Sequence, residues 1–228
     1  MTRGYIVLFV MMAASVQIHA TELVVSQLNA VVDENFDGFR GLHETLPHGF
    51  AVSADGRDLL AATNDYRGAS GGGETTGGCY AWNISEGDFA IGCQPTETKF
   101  TPGYFLVAIS NATGTAVNEI SVSYDVVCLN NADRSSALHF ELSVDGNAFE
   151  RQEGMSFVSP LLQDKPASWA RSTYSCNIRF RKPVSADQRI WLRWYVDDAA
   201  GSYARDEYGL DNVRLIFHCR RGTVITIN

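Results

Sequence analysis

Four stretches of this chain place an apolar residue at every second position, and that period of two most restricts the fold. In 120–126, Ile120, Val122, Tyr124 and Val126 alternate with Ser121, Ser123 and Asp125. In 138–144, Leu138, Phe140, Leu142 and Val144 alternate with His139, Glu141 and Ser143. In 190–196, Ile190, Leu192, Trp194 and Val196 alternate with Trp191, Arg193 and Tyr195, and 213–217 repeats the pattern from Val213 to Phe217. A strand sends successive side chains to opposite faces, so each stretch predicts a strand with one buried face. Shorter candidates fall at 29–36, 49–53, 78–84, 88–92, 104–110, 155–158, 174–180 and 223–227. Turn pairs such as Asp55-Gly56, Glu86-Gly87, Pro102-Gly103, Asp145-Gly146 and Gly201-Ser202 separate them. No window carries a helical period. The expectation is an all-β, antiparallel jelly-roll β-sandwich forming a single domain over 21–228. An immunoglobulin-like sandwich fits less well, because the chain is about twice that length and lacks the Cys…Trp…Cys spacing. The Gly-rich stretch 68–78 is expected to be a loop within the domain.

The N-terminus follows a different rule. Arg3 precedes the uncharged run from Tyr5 to Val16, and Gln17, Ile18 and His19 lead to Ala20. Charge, short apolar run and small residue make the pattern of a secretory signal peptide over 1–20. The run is shorter than the ~20 apolar residues a spanning helix needs. An uncleaved anchor is the competing reading, and the polar Gln17 and His19 weigh against it. The expected location is therefore secreted or extracellular, or else periplasmic or at the cell surface, with no membrane insertion after cleavage.

The formal charge is −8, and −9 once Arg3 leaves with residues 1–20. An acidic chain without a basic block argues against nucleic acid, whose phosphates call for clustered Lys and Arg. It argues equally against an anionic membrane surface. The five cysteines, Cys79, Cys93, Cys128, Cys176 and Cys219, form no CxxC pair and no zinc spacing. In an exported chain disulfides are expected. Cys79 and Cys93 flank an apparent hairpin and are the first pair; any second pair stays open. Asn83-Ile84-Ser85 and Asn111-Ala112-Thr113 are glycosylation sequons, relevant only in a eukaryotic source.

An ordered series of motifs carries a resemblance: NFDGF (35–39), LPHGFAVS (46–53), NDYRGASGGG (64–73), CYAWN (79–83), IGCQPT (91–96), FTPGYF (100–105), ISNATG (109–114), RSSALHFELSVDG (134–146) and LRWYVDDAAGSYARDEYGLDNVRL (192–215). The series resembles a secreted bacterial jelly-roll module found beside nuclease, phosphoesterase, lamin-tail-like and sorting domains. It is loosely similar in plan to carbohydrate-binding and meprin-type adhesion modules. The resemblance spans residues 30–217 and implies fold and export. The chain departs from the pattern in having five cysteines, and no partner catalytic or sorting domain is expected within these 228 residues.

Two constellations are candidates for chemistry. The stretch 197–211 holds Asp197, Asp198, Asp206, Glu207 and Asp211, and calcium takes six to eight oxygen ligands. In carbohydrate-binding jelly rolls a structural calcium joins the first and last strands. That resemblance implies Asp37 and Asp211 as ligands, with Glu34, Asp198 and Asp206 as further candidates. The alternative is a solvated acidic loop paired with Arg193 and Arg205. The second constellation is aromatic. Trp191, Arg193 and Tyr195 lie outward on one strand, with Trp82 nearby, and rings of this kind pack on the CH faces of sugars.

Nothing in the sequence specifies catalysis. No Gly-x-Ser-x-Gly elbow occurs. The Gly-rich stretch lacks a phosphate-loop Lys. No spacing identifies a glycosidase carboxylate pair. The expected function is a non-catalytic binding or accessory module for a glycan or an extracellular protein partner. The alternatives are a glycosidase-like degradative hydrolase using the acidic loop and a structural envelope component.

Overall fold

The computed structural model describes residues 22–40, 46–56 and 65–219. The expected signal peptide and the candidate strand 223–227 lie outside the described residues. Among the described residues there are thirteen strands and no helix. In chain order they are β1 (Leu23–Val25), β2 (Val31–Glu34), β3 (Phe50–Ser53), β4 (Tyr66–Ser70), β5 (Gly78–Ser85), β6 (Asp88–Gln94), β7 (Gly103–Asn111), β8 (Val117–Leu129), β9 (Arg134–Ser143), β10 (Glu150–Val158), β11 (Trp169–Val184), β12 (Arg189–Gly201) and β13 (Glu207–His218).

They form two sheets packed as a jelly-roll sandwich. The first runs β1-β7-β12-β9-β10, with β3 also on β7. The second runs β11-β8-β13-β6-β5-β4, with β2 also on β13. Pairing is antiparallel except for β1 with β7 and β4 with β5. Two long strands each carry two short ones end to end along one flank. β7 holds β1 at 109–111 and β3 at 104–107. β13 holds β6 at 208–210 and β2 at 213–216, and its register shifts between Asp211 and Arg214.

The core follows from the period-two stretches. Ile190, Leu192, Trp194 and Val196 are all at most 1% exposed, whereas Trp191, Arg193 and Tyr195 face outward and are partly exposed. Val122, Tyr124 and Val126 of β8 and Leu138, Phe140 and Leu142 of β9 meet them between the sheets. Tyr124, Phe140 and Trp194 form the aromatic centre, with ring centroids 5.3–5.6 Å apart. Burying side chains of this size supplies the main stabilisation, roughly 1.5–3 kcal/mol each.

Among the described residues the strand expectations hold, except that β9 ends at Ser143 and leaves Val144 51% exposed, and there are two additions. β1 has three residues, too few to show a period. β4 occupies Tyr66–Ser70, part of the stretch expected to be a loop, so the connecting loop is 71–77.

Candidate functional site

The outward column Trp191, Arg193 and Tyr195 is largely closed by the protein itself. Arg193 lies opposite Leu106 and Glu141, and Tyr195 opposite Tyr104 and His139. The Arg193 guanidinium donates to Glu141 Oε2 from Nε at 2.9 Å and from Nη2 at 2.5 Å. Its carbon stands 3.8 Å from the centre of the Phe149 ring, 5.3 Å from that of Tyr195 and 5.9 Å from that of Tyr104. The β9–β10 turn brings Phe149 there and lays Gly146 over Trp191, where a Cβ would fall 3.2 Å from the indole. The guanidinium is thus spent on a carboxylate and three rings of its own chain.

Trp82 belongs to the other sheet and is fully buried, so it shares no surface with Trp191. It stacks on Tyr80 at 4.5 Å, leans on Trp169 at 5.5 Å and donates from Nε1 to Tyr208 O at 3.2 Å. The indole lies against Gly92, which is why position 92 is glycine: a Cβ there would fall 2.2 Å from Trp82 Cδ1 and Nε1.

The five expected calcium ligands are not gathered. Glu34 Oε1 accepts Phe36 N at 2.8 Å, and Asp37 accepts Phe89 N at 3.1 Å. Asp198 is held by Arg134, and Asp206 Oδ1 accepts Ala132 N at 3.1 Å. Asp211 pairs with Arg171 at 2.5 Å, and the same guanidinium reaches Asp125 at 2.9 Å and Asp88 at 2.8 Å. Arg171 therefore already supplies the positive charge among these acids. Burial raises the Asp211 carboxyl to about 6 against the pull of Arg171. Among the described residues, no group of three His, Cys, Asp or Glu side chains is arranged to hold a metal. The second strand, β2, pairs with the last described strand, β13, placing Glu34 opposite Val213, whereas β1 pairs with β7; the β2–β13 junction carries no ligand cluster.

The sequons differ. Asn83 is exposed, whereas Asn111 is 2% exposed and its amide donates to Thr115 O, Val184 O and Ser185 O.

One end of the sandwich carries an open cavity of ≈660 Å³. Four loops line it: β4–β5 with Gly73 to Thr75, β6–β7 with Pro95 to Glu97, β8–β9 with Asn131 and Ala132, and β12–β13 with Tyr203 to Arg205. Each wall is anchored. Glu207, at the start of β13, accepts Gly73 N at 2.9 Å and also Glu74 N. Trp169 Nε1 donates to Gly71 O at 3.0 Å, and Tyr80 OH donates to Thr76 O at 2.8 Å. Gly72, at φ +106, has no room for a Cβ against Leu129 and Glu207. Gln94 is 4% exposed and donates to both Pro95 O and Arg205 O, tying the second wall to the fourth.

Arg134 grips Asp198 through Nε at 2.8 Å and Nη2 at 2.5 Å and donates to Tyr203 O at 3.4 Å. The Arg134 hydrogen bonds hold the Asp198 carboxyl below its usual range. Burial raises the carboxyls of Asp206 and Glu207. Above this frame Tyr203 stands 90% exposed at φ 75. A bulky residue at positive φ is an outlier that its surroundings must impose, and such strain clusters at ligand sites. In the sequence Tyr203 is masked by its neighbours, because the stretch 197–211 reads as acidic throughout. The signal present was an aromatic directly after the Gly201-Ser202 turn.

A different constellation lies on the outer face of the second sheet. Ser121 Oγ is 2.8 Å from His218 Nε2, and His218 Nδ1 is 2.7 Å from Asn29 Oδ1. Acyl transfer also needs N–H donors aimed at an oxyanion. Ser121 sits in mid-strand on β8, paired on one side with Asn177 and on the other with Ile216. Its neighbouring backbone donors are used in the ladders.

No family model matches the chain, and no curated protein matches it. Solved structures to which it is similar include the C-terminal family 22 carbohydrate-binding module of Clostridium thermocellum Xyn10B, at 12% identity over 86% of this chain and 95% of that one, TM-score 0.44. The K3 cleaved adhesin domain of Lys-gingipain from Porphyromonas gingivalis matches at 12% identity over 81% and 98%, TM-score 0.44. TmCBM61 in complex with β-1,4-galactotriose matches at 12% identity over 81% and 94%, TM-score 0.42. With TM-scores below 0.5 these say nothing about the site. Fold and site together define a β-sandwich with a ligand-sized cavity among its end loops.

Proposed function

We propose that the protein is an exported, non-catalytic binding module whose end-loop cavity takes an uncharged, polyhydroxylated ligand of the carbohydrate class. The observation that carries this is Tyr203, an aromatic ring left 90% exposed on the rim of a cavity of ≈660 Å³ lined by polar and apolar groups alike. Cavities of roughly 300–1,000 Å³ suit small ligands. A ring offers area to the CH face of a pyranose, while Thr75, Thr96 and Asn131 offer hydroxyl and amide partners. Glu74 and Glu97 lie beside Arg134 and Arg205 on the lining, and both arginines already pair with Asp198, so no cluster of cations is left to select an anion. The buried carboxylates beside it support binding rather than hydrolysis. Asp206 and Glu207 are both 0% exposed and neither lines the cavity, so neither reaches a ligand there to protonate a leaving group.

The test is a glycan screen with the purified protein, followed by calorimetry on each hit with the Tyr203→Ala variant. A hit whose affinity falls about tenfold in the variant supports the proposal. No hit, or hits indifferent to Tyr203, removes it.

A further inference from the structure

Four of the five cysteines lie on strands, and their register decides which can meet. Cys79 on β5 is directly opposite Cys93 on β6. Cys93 is opposite Tyr208 on β13, and Tyr208 is opposite Cys128 on β8. Tyr208 therefore stands between Cys93 and Cys128, two strand spacings or ~9.6 Å apart, beyond the ~7 Å limit for a bridge. Cys176 faces Val122 while Cys128 faces Ala170, six residues or ~20 Å along the same ladder. Cys219 follows the far end of β13, with β8 between it and β11. Only Cys79 and Cys93 are neighbours.

Their pairing type matters as well. The Cys79 N–H donates to Asp65 O at 2.8 Å, on the side of β5 away from β6. In an antiparallel ladder, a residue turned away in this manner forms a non-hydrogen-bonded pair with its partner, with Cα atoms ~4.5 Å apart. That separation lies within the range a disulfide spans. In the structure both residues carry free thiols, buried at 2% and 0% exposure.

We propose that in the exported protein Cys79 and Cys93 are joined by a cross-strand disulfide, made before the sheets close, that staples two walls of the end cavity. The site is placed for this. Cys79 lies one residue beyond the 71–77 wall, after Gly78, and Cys93 directly precedes the Gln94–Glu97 wall. The chemistry is thiol–disulfide exchange with a small disulfide such as oxidised glutathione. One cysteine thiolate attacks it, forming a mixed disulfide and releasing one glutathione thiol. The second thiolate attacks the mixed disulfide, forming the Sγ–Sγ bond and releasing the other. Two cysteine protons are lost, and the two electrons end on the two glutathione thiols. Once the sandwich is closed, burial pushes both thiols far above the range in which thiolates form, so a reduced pair no longer attacks a disulfide, and the same burial keeps external thiolates from a bridge already made. The proposal stands whether or not the cavity binds a sugar.

The experiment uses the full chain exported to an oxidising compartment. It is denatured without reductant, alkylated and mapped by mass spectrometry. Three alkylated cysteines, with a linked Cys79–Cys93 peptide that reduction separates, is the expected result. Five alkylated cysteines, or a link between any other pair, overturns it. A second measurement covers the timing. Protein folded with reductant and then moved to oxidised glutathione should form the link at least 100-fold more slowly than the urea-unfolded chain; equal rates overturn formation before closure. The Cys79→Ser/Cys93→Ser variant should melt about 6–12 °C below the oxidised protein, as closing a loop of this length implies.

Discussion

The Arg193 face and the Tyr203 rim hold similar chemistry, arginine, carboxylate and aromatic ring, yet they stand in opposite relations to solvent. On the face, a 6%-exposed Glu141 and the Phe149 ring close over the guanidinium. On the rim, Arg134 and Arg205 hold Asp198 and the loop in place, and the ring they support stays out in water. The first arrangement stabilises the fold. The second leaves a surface unspent. Composition alone does not separate the two, because the difference lies in what a remote turn lays over each.

The largest expected effect tests the closed region. Arg193→Ala leaves the nearly buried Glu141 with Arg151, 3.4 Å away, as its remaining charge partner among the described residues. Breaking such a pair should cost about 3 kcal/mol in urea unfolding, at the low end because Arg151 remains. Ligand affinity at the cavity should not change; a shift there would mean that the two regions are coupled. Next is Gly92→Ala, where a methyl group must displace the flat Trp82 indole. Overpacking of this kind should cost about 2 kcal/mol and shift the near-ultraviolet signal of the indole. Tyr203→Ala is the converse. Stability should stay within about 0.5 kcal/mol of the parent while affinity for a bound glycan drops by about 1.4 kcal/mol. A large loss of stability instead would place Tyr203 with the closed region.

The smallest effect is in pH. Burial raises Glu207 above its usual 4.5, so between that value and its folded value the folded state holds more proton than the unfolded chain. Stability from this group is present at low pH and falls as pH rises through that window. Glu207→Gln should flatten that part of the stability–pH curve, measured by thermal melts from pH 4 upward; an unchanged slope would assign it to Asp206 or Asp211, which burial also raises.

Much of the fold was legible because period-two alternation is a local signal. Ile190 to Val196 showed which side chains enter the core, and Trp191, Arg193 and Tyr195 do point outward. Whether an outward residue meets solvent is not local. Gly146 and Phe149, more than forty residues away, decide it for Trp191 and Arg193. Trp82 misled for the same reason, since its cover comes from Tyr80 and Trp169 and its floor from Gly92 and Gly209. The acidic stretch 197–211 showed charge density without partners, and the partners, Arg134 and Arg171, lie on other strands. Tyr203 was legible only as one letter in that stretch.

The end-to-end seating of β2 and β6 along β13 also sets a timetable. β2 begins at Val31 and waits for residues 213–216, about 180 positions later in the chain. Contacts so far apart in sequence are slow to form, because the intervening loop must first be closed. A chain emerging from its N-terminus therefore cannot complete the second sheet until its last strand has arrived. The β5–β6 hairpin can form as soon as its own residues are out. For that interval the hairpin stands open to its surroundings, and the compartment in which the interval is spent determines what chemistry reaches it.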